Sequence, residues 1–323
     1  MRELILNGVR IADDAPCYVI AEIGHNHQGS LKKCMALFKA AKDAGADAVK
    51  LQKRDNKTLF TKEMYDSPYN SENAYGPTYG LHREALEFGK KEYEELISYS
   101  KEIGITFFAT AFDIPSFDFL ADLEMPAIKI ASGDITYIEL LADVETYGRP
   151  VIISTGGATI ADVRRAHETL NGCPHAFLQC TACYPADFSQ LDLRVIETYR
   201  ALFPDTVIGL SDHDKGIAMA PVAYALGARI IEKHFTLDRT WKGTDQSFSL
   251  EPVGLKKLVR DLTRTHCALG DGAKKIYESE LPPLSKMRKK LIDGEWKVDG
   301  KIVSDAVGRG RLNRKALPGA ISG

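Results

Sequence analysis

The chain has 323 residues, 44% of them hydrophobic and 27% charged, with a formal net charge of -2. That balance describes a globular protein with room for one large domain and a small appendage. It argues against an electrostatic nucleic-acid binder, which would be basic overall or along a stripe, and no apolar run approaches the ~20 residues needed to span a bilayer.

The opening segment, MRELILNGVRIADD, lacks the apolar core of a signal peptide. The six cysteines sit in a chain too large to need disulfide staples, so they read as reduced and the protein as cytoplasmic. Cys180 and Cys183 form a lone C-x-x-C with no second pair, which reads as two half-buried thiols near a strand end.

In chain order, Leu4-Ile5-Leu6 and Val9-Arg10-Ile11 flank Asn7-Gly8, a strong hairpin signal that predicts a hairpin over 3–12. A unit then repeats: a short apolar run ending in polar residues, followed by a segment of helical period. The runs are 18–23, 47–52, 105–110, 127–131, 150–154, 175–181, 206–211 and 229–235. The helices fall at about 30–44, 90–102, from 115, 136–146, 160–170, 191–201, 216–226 and 254–268. Ser30 suits an N-cap, and Gly45 and Gly104 suit helix ends. Eight alternations over ~250 residues predict an α/β fold of the (β/α)8 TIM-barrel class. A doubly wound open sheet is the competing architecture. The expected organisation is a hairpin cap (1–16) on the N-terminal mouth, a barrel (17–270), and a linker with a short C-terminal arm (271–323). Residues 55–88 form a long Tyr-rich loop on the face where barrels place chemistry. The arm is basic, with Lys286, Arg288, Lys289 and Lys290, then Arg309, Arg311, Arg314 and Lys315, and holds a possible hairpin around Asp299-Gly300.

Barrel enzymes work at the C-terminal ends of their strands. The polar residues there are Glu22, Lys50, Gln52, Thr110, Lys129, Ser132, Ser154, Thr155, Thr181, Ser211, His213, Glu232 and His234. Side chains two apart on a strand share a face, so Lys50 points with Gln52 and Glu232 with His234, while Lys233 points toward the helices. Charges inside apolar runs are costly without partners, which favours a functional mouth over packing. Lys50 and Lys129 with Ser132, Ser154 and Ser211 can bind a phosphate and a carboxylate. His213 and His234 can hold one divalent metal, or stand as a hydrogen-bonded pair; imidazole suits Mn, Zn, Fe or Co. Glu22 and Glu232 can orient hydroxyls or move protons.

The ordered motifs AEIGHNHQGS (21–30), ADAVKLQ (46–52), FFATAFD (107–113), IKIASGD (128–134), ISTGG (153–157), CTACYP (180–185), GLSDH (209–213), IEKHFTLDR (231–239) and GTDQSFSLEP (243–252) resemble the sialic acid (N-acetylneuraminate) synthase family over about residues 18–265. The resemblance implies a hairpin-capped TIM barrel acting as a homodimer. It implies transfer of phosphoenolpyruvate onto the open-chain aldehyde of an N-acylated hexosamine such as N-acetylmannosamine, giving a nine-carbon 2-keto-3-deoxy acid and phosphate. Carried across, Lys50, Thr110, Lys129, Ser132, Ser154 and Ser211 match the phosphoenolpyruvate site. His213 and His234 match the metal ligands, with Mn2+ expected and Mg2+ or Co2+ as alternatives. Gln52, Tyr184 and Asp245 match sugar-contacting positions, and Glu22 and Glu232 the reacting centre.

The chain departs from the family's pattern at Lys53, Ala182, Cys183 and Gln246, positions expected to cluster on the sugar side. The roughly 40 residues after Pro283 are too few for the family's antifreeze-like C-terminal domain, which supplies an arginine across the dimer; Arg309, Arg311 or Arg314 would have to substitute. Three rival readings remain: a Schiff-base aldolase using Lys129 or Lys50, a phosphoenolpyruvate condensing enzyme with another sugar acceptor, and a non-catalytic sugar-acid-binding relic.

Overall fold

A computed structural model of the chain describes residues 2–299 and 301–302. It divides into two compact units, Met1–Leu269 and Gly270–Gly323.

The first unit opens with an antiparallel hairpin of β1 (Glu3–Leu6) and β2 (Val9–Ala12). Its turn holds Asn7 and Gly8 at positive φ (47° and 81°), the conformation Asn-Gly tolerates best. Eight parallel strands follow: β3 (Tyr18–Gly24), β4 (Ala48–Lys53), β5 (Thr106–Ala111), β6 (Ile128–Ile130), β7 (Val151–Ser154), β8 (His175–Cys180), β9 (Val207–Asp212) and β10 (Ile230–His234). They close in the order β10-β3-β4-β5-β6-β7-β8-β9. The fold is therefore the (β/α)8 barrel, and closure rules out the open sheet.

The helices are α1 (Leu31–Ala44), α2 (Asn56–Leu59), α3 (Lys62–Asp66), α4 (Tyr79–Glu84), α5 (Lys90–Ile103), α6 (Ile114–Asp122), α7 (Ile138–Thr146), α8 (Ile160–Thr169), α9 (Val195–Leu202), α10 (Met219–Ala225) and α11 (Pro252–Leu269). In α1 the buried residues Cys34, Leu37, Phe38 and Ala41 recur at helical spacing, Ser30 caps the start, and Gly45 ends the helix in the left-handed region. Residues 55–88 are not the structureless loop the sequence suggests. They hold α2, α3 and α4, each started by a side-chain cap, from Asp55, Thr61 and Thr78.

Two cores form. One lies between strands and helices. The other lies inside the barrel, where Ile20, Ala48, Phe108, Ile152, Leu178 and Ile230 meet Leu4, Leu6 and Ile11 of the hairpin. The hairpin's apolar face is thus continuous with the barrel interior, as a plug would be. Burying these side chains contributes roughly 1.5–3 kcal/mol each. Gly209 is needed in that interior, because a Cβ there would lie 2.5 Å from both Ile230 O and Leu178 Cδ2.

The inward row of each strand changes character along its length. Ile20 is followed by Glu22, Ala48 by Lys50 and Gln52, and Phe108 by Thr110. Ile152 is followed by Ser154, Val207 by Gly209 and Ser211, and Ile230 by Glu232 and His234. The register sets these rows side by side, with Glu22 opposite Lys50 and His234, Thr110 opposite Gln52 and Lys129, and Ser211 opposite Glu232. The apolar layers seal the bottom and the polar layers gather at the C-terminal mouth.

The second unit contains α12 (Leu281–Met287) and an antiparallel sheet of β11 (Lys290–Ile292), β12 (Glu295–Val298) and β13 (Lys301–Ile302). The expected hairpin is present and gains β11, which basic neighbours hid from pattern reading. Arg309, Arg311, Arg314 and Lys315 lie outside the described residues. No helix among the described residues is long and apolar enough to cross a membrane.

Candidate active site

The mouth holds a cavity of about 510 Å3. Every residue proposed for catalysis, phosphoenolpyruvate, sugar or metal lines it: Glu22, Lys50, Gln52, Thr110, Lys129, Ser132, Ser154, Tyr184, Ser211, His213, Glu232, His234 and Asp245. Thr155 and Thr181 do not. Thr155 Oγ1 donates to Leu178 O and Thr181 Oγ1 to Gln190 O, both backbone ties. A larger hollow of about 730 Å3 is walled by residues at strand starts, including Asp47, Thr106 and Pro126, and holds none of these side chains.

Lys50 Nζ lies 2.6 Å from Glu22 Oε2, donates to Thr110 Oγ1 at 2.7 Å, and stands 3.9 Å from Glu232 Oε1. Gln52 Nε2 donates to Glu22 Oε1 at 2.7 Å, so both oxygens of Glu22 are engaged. Lys129 differs. Its Nζ donates to Ser154 Oγ at 2.6 Å and to Ile130 O at 2.7 Å, with no carboxylate in an ion pair among the described residues. Burial and the neighbouring Lys50 charge push its ammonium down to about 8, against the pull of Glu232. A buried cation held only by neutral oxygens suits an incoming anion. Ser132 Oγ accepts from Gly156 N at 2.9 Å, which fixes a hydroxyl on the same wall. Glu232 accepts from Ser211 Oγ at 3.2 Å through Oε1, and its Oε2 is buried without a hydrogen-bond partner. Burial alone would raise its pKa, but Lys50 and Lys129 outweigh that and hold the carboxyl below its ordinary value.

His213 and His234 stand side by side, their ring centroids 5.4 Å apart. His213 Nδ1 lies 2.9 Å from Thr181 O; donation to that carbonyl leaves the Nε2 lone pair free. Burial and the neighbouring imidazole push His213 down to about 3, so it is neutral. His234 Nδ1 is buried without a hydrogen-bond partner, and Asp245 Oδ2 is 3.8 Å from it. Two adjacent imidazoles, one oriented by a carbonyl, fit a borderline divalent cation. No group of three or more His, Cys, Asp or Glu side chains suited to a metal occurs among the described residues; His213 and His234 are the two side chains that would hold one. Tyr184 packs on His213 with centroids 4.1 Å apart.

The expected sugar-side cluster of departures needs correction. Of the four, Ala182 alone lines the cavity. Lys53 Nζ turns outward to Glu87 (3.3 Å) and Phe88 O (3.0 Å). Cys183 is exposed, not half-buried. Gln246 is buried where it ties Thr236 Oγ1 to Asn26 O. Lys53 and Gln246 are therefore tied into the surrounding fold, Cys183 is exposed, and three of the four departures lie off the cavity wall.

Sequence reasoning missed Arg54, Phe112, Arg83 and Thr244, which also line the cavity. Arg54 had a signal, since it continues the inward row of Lys50 and Gln52. Arg83 had none, because its place depends on how 55–88 folds back. That segment is tied across the mouth: Tyr75 Oη donates to Lys242 O at 2.7 Å, and Gly243 N donates to Asn73 Oδ1 at 2.9 Å.

The model of the NeuB family matches residues 37–274. The N-acetylneuraminate-9-phosphate synthase of Mus musculus is 40% identical over 282 residues, 86% of this chain and 78% of that protein. The N,N'-diacetyllegionaminic acid synthase of Campylobacter jejuni is 36% identical over 310 residues, 94% of this chain and 91% of that one. The crystal structure of N-acetylneuraminic acid synthetase from Leptospira borgpetersenii, in complex with citrate, superposes with a TM-score of 0.75 at 35% identity, covering 90% of this chain and 98% of that one.

Proposed function

The chain belongs to the NeuB family, and from that premise we propose that it joins phosphoenolpyruvate to the aldehyde of an N-acylated hexosamine, giving a nine-carbon 2-keto-3-deoxy sugar acid and phosphate. The observation that carries the reading is Lys129, a buried cation held only by neutral oxygens in the same cavity as a pair of imidazoles and a carboxylate with one free oxygen. The names of relatives, N-acetylneuraminate-9-phosphate synthase and N,N'-diacetyllegionaminic acid synthase, agree with a sugar-acid product.

Lys129, with Ser132, Ser154 and Ser211, binds the phosphate, while Lys50 and Thr110 face the carboxylate. His213 and His234 would hold the divalent cation, with Mn2+ favoured, which supplies Lewis-acid polarisation of the acceptor's carbonyl oxygen. Gln52, Tyr184 and Asp245 set the sugar so that its aldehyde carbon faces C3 of phosphoenolpyruvate. The C2=C3 π pair forms a bond between those carbons as the aldehyde's C=O π pair moves onto its oxygen, which takes a proton to become a hydroxyl, and C2 is left electron-poor. Water adds at C2, and Glu232 takes its proton through the free Oε2. Glu22 cannot do this as readily, since Lys50 and Gln52 hold both its oxygens; it orients Lys50 instead. Collapse of the adduct breaks the C2–O bond and releases inorganic phosphate. The free cysteines suit a cytoplasmic setting, and a homodimer is the expected assembly.

The reading is tested by phosphate release from phosphoenolpyruvate with Mn2+, across acceptors led by N-acetylmannosamine and its 6-phosphate. Acceptor-dependent release that stops on chelation and returns with Mn2+ is expected. Release independent of acceptor, or none with either sugar, would overturn it.

A further inference from the structure

The cavity contains two guanidiniums that this chemistry does not use. Arg54 follows β4. Its Cζ lies 3.7 Å over the Phe112 ring, its Nη2 donates to Gln52 Oε1 at 2.8 Å, and its Nη1 stands 3.4 Å from His25 Nε2. Arg83 is carried to the same cavity by α4, where its Nε and Nη2 donate to Tyr79 Oη at 3.2 and 3.0 Å. Aromatic stacking and neutral hydrogen bonds hold both, and neither makes an ion pair among the described residues. Of the carboxylates near them, Glu87 is engaged by His25 and Lys53, and Asp245 faces His234. Burial and the neighbouring Arg83 charge hold Arg54 down to about 10. Two like charges on one wall with no acid paired to either are costly until an anion arrives.

Their place in the mouth is distinct. The Lys129 cluster stands at β6 and β7, and the imidazoles at β9 and β10. Arg54 leaves β4, with β5 between it and the first group and β3 between it and the second. An acceptor with its aldehyde at the imidazoles would extend its far end toward β4 and α4. The guanidinium forks there suit a phosphate, which takes paired charge-assisted hydrogen bonds.

We infer that Arg54 and Arg83 form an anion subsite for a phosphate on the end of the acceptor sugar remote from its aldehyde, so that the acceptor class is a phosphorylated N-acylhexosamine. The inference rests on the condensing reaction proposed above and adds the acceptor's charge to it.

The experiment compares N-acetylmannosamine 6-phosphate with N-acetylmannosamine as acceptors for the full chain and for Arg83→Gln. Wild type should favour the phosphorylated sugar by about a hundredfold in kcat/KM, the effect of one or two charge-assisted hydrogen bonds. Arg83→Gln should cut that preference at least about tenfold, through KM of the sugar phosphate, with KM for phosphoenolpyruvate within about twofold of wild type. Equal use of the two sugars by wild type would overturn the inference and leave the condensing reaction standing. So would an Arg83→Gln variant in which KM rises for phosphoenolpyruvate and the sugar preference persists. If neither sugar released phosphate, the condensing reaction itself would fail. Calorimetric titration of the two sugars would then decide the subsite: tighter binding of the phosphorylated sugar that Arg83→Gln abolishes upholds it, and equal or absent binding overturns it.

Discussion

Strand β10 carries buried charge on both faces, and the two faces are built in opposite ways. On the outer face Lys233 donates to Asp212 Oδ2 and Asp214 O, each at 2.8 Å, and to Asp214 Oδ1. Every proton of that ammonium has an acceptor. On the inner face Glu232 keeps one oxygen, and His234 one ring nitrogen, without a hydrogen-bond partner. All four charged groups, Lys233, Asp212, Asp214 and Glu232, are at most 6% exposed, so burial does not separate the two faces. Pairing does: outside, Lys233 ion-pairs with both Asp212 and Asp214, leaving Asp214 Oδ2 without a hydrogen bond, whereas inside, Glu232 stands 3.9 Å from Lys50 and it and His234 line the cavity. A buried charge that is closely paired holds the fold, whereas one left open on a cavity is available to a ligand.

That contrast breaks most visibly when each face loses its charge. Lys233→Met strands two buried carboxylates and should cost about 3–5 kcal/mol of stability, read as a lower urea midpoint. The protein that remains folded should turn over normally; a stability change under about 1 kcal/mol would refute the division. On the inner face, Glu232→Gln should leave the midpoint within about 1 kcal/mol of wild type. It should lower kcat about a hundredfold or more, as expected for loss of a general base. Unfolding of that variant at the cost predicted for Lys233→Met would make the two faces alike.

Smaller effects sharpen the same line. Lys129→Met should weaken phosphoenolpyruvate binding by about ten- to a hundredfold, the worth of a hydrogen bond to a charged group, with little loss of stability. Calorimetry without acceptor reads this directly, and unchanged affinity would remove Lys129 from the phosphate pocket. The last effect is on pH. The ammonium of Lys129 is lowered to about 8, so it is charged below that value and neutral above it. Affinity for phosphoenolpyruvate should therefore fall as pH rises through about 8, by up to tenfold per unit. Folding stability should move the other way between about 8 and 10.5, because the unfolded chain binds the extra proton there. Lys129→Arg should carry the fall in affinity to higher pH. A neutral Lys129 could form a Schiff base, but the condensing reaction uses none, so borohydride with pyruvate should leave no covalent adduct on the chain.

The barrel was legible because strand period and helix period alternate cleanly, and because an inward row that turns polar at its end marks the mouth. Lys50, Glu232 and their neighbours could be placed together from that rule alone. The segment 55–88 was not legible. Its helices α2, α3 and α4 are each six residues or shorter, below the length at which periodicity shows, and its position depends on contacts such as Tyr75 with Lys242. Arg83 was invisible for that reason. Gln246 was misplaced for a related one: the sequence set it next to a sugar-facing position, but its side chain turns inward to Thr236 and Asn26.

The most direct test of the condensing reaction is carbon NMR of the product formed from phosphoenolpyruvate labelled at C3 and N-acetylmannosamine 6-phosphate labelled at C1, both with carbon-13. The expected result is a new one-bond carbon–carbon coupling between the two labels, growing in step with inorganic phosphate. Phosphate release with the C3 label recovered as pyruvate, and no coupling, would contradict it.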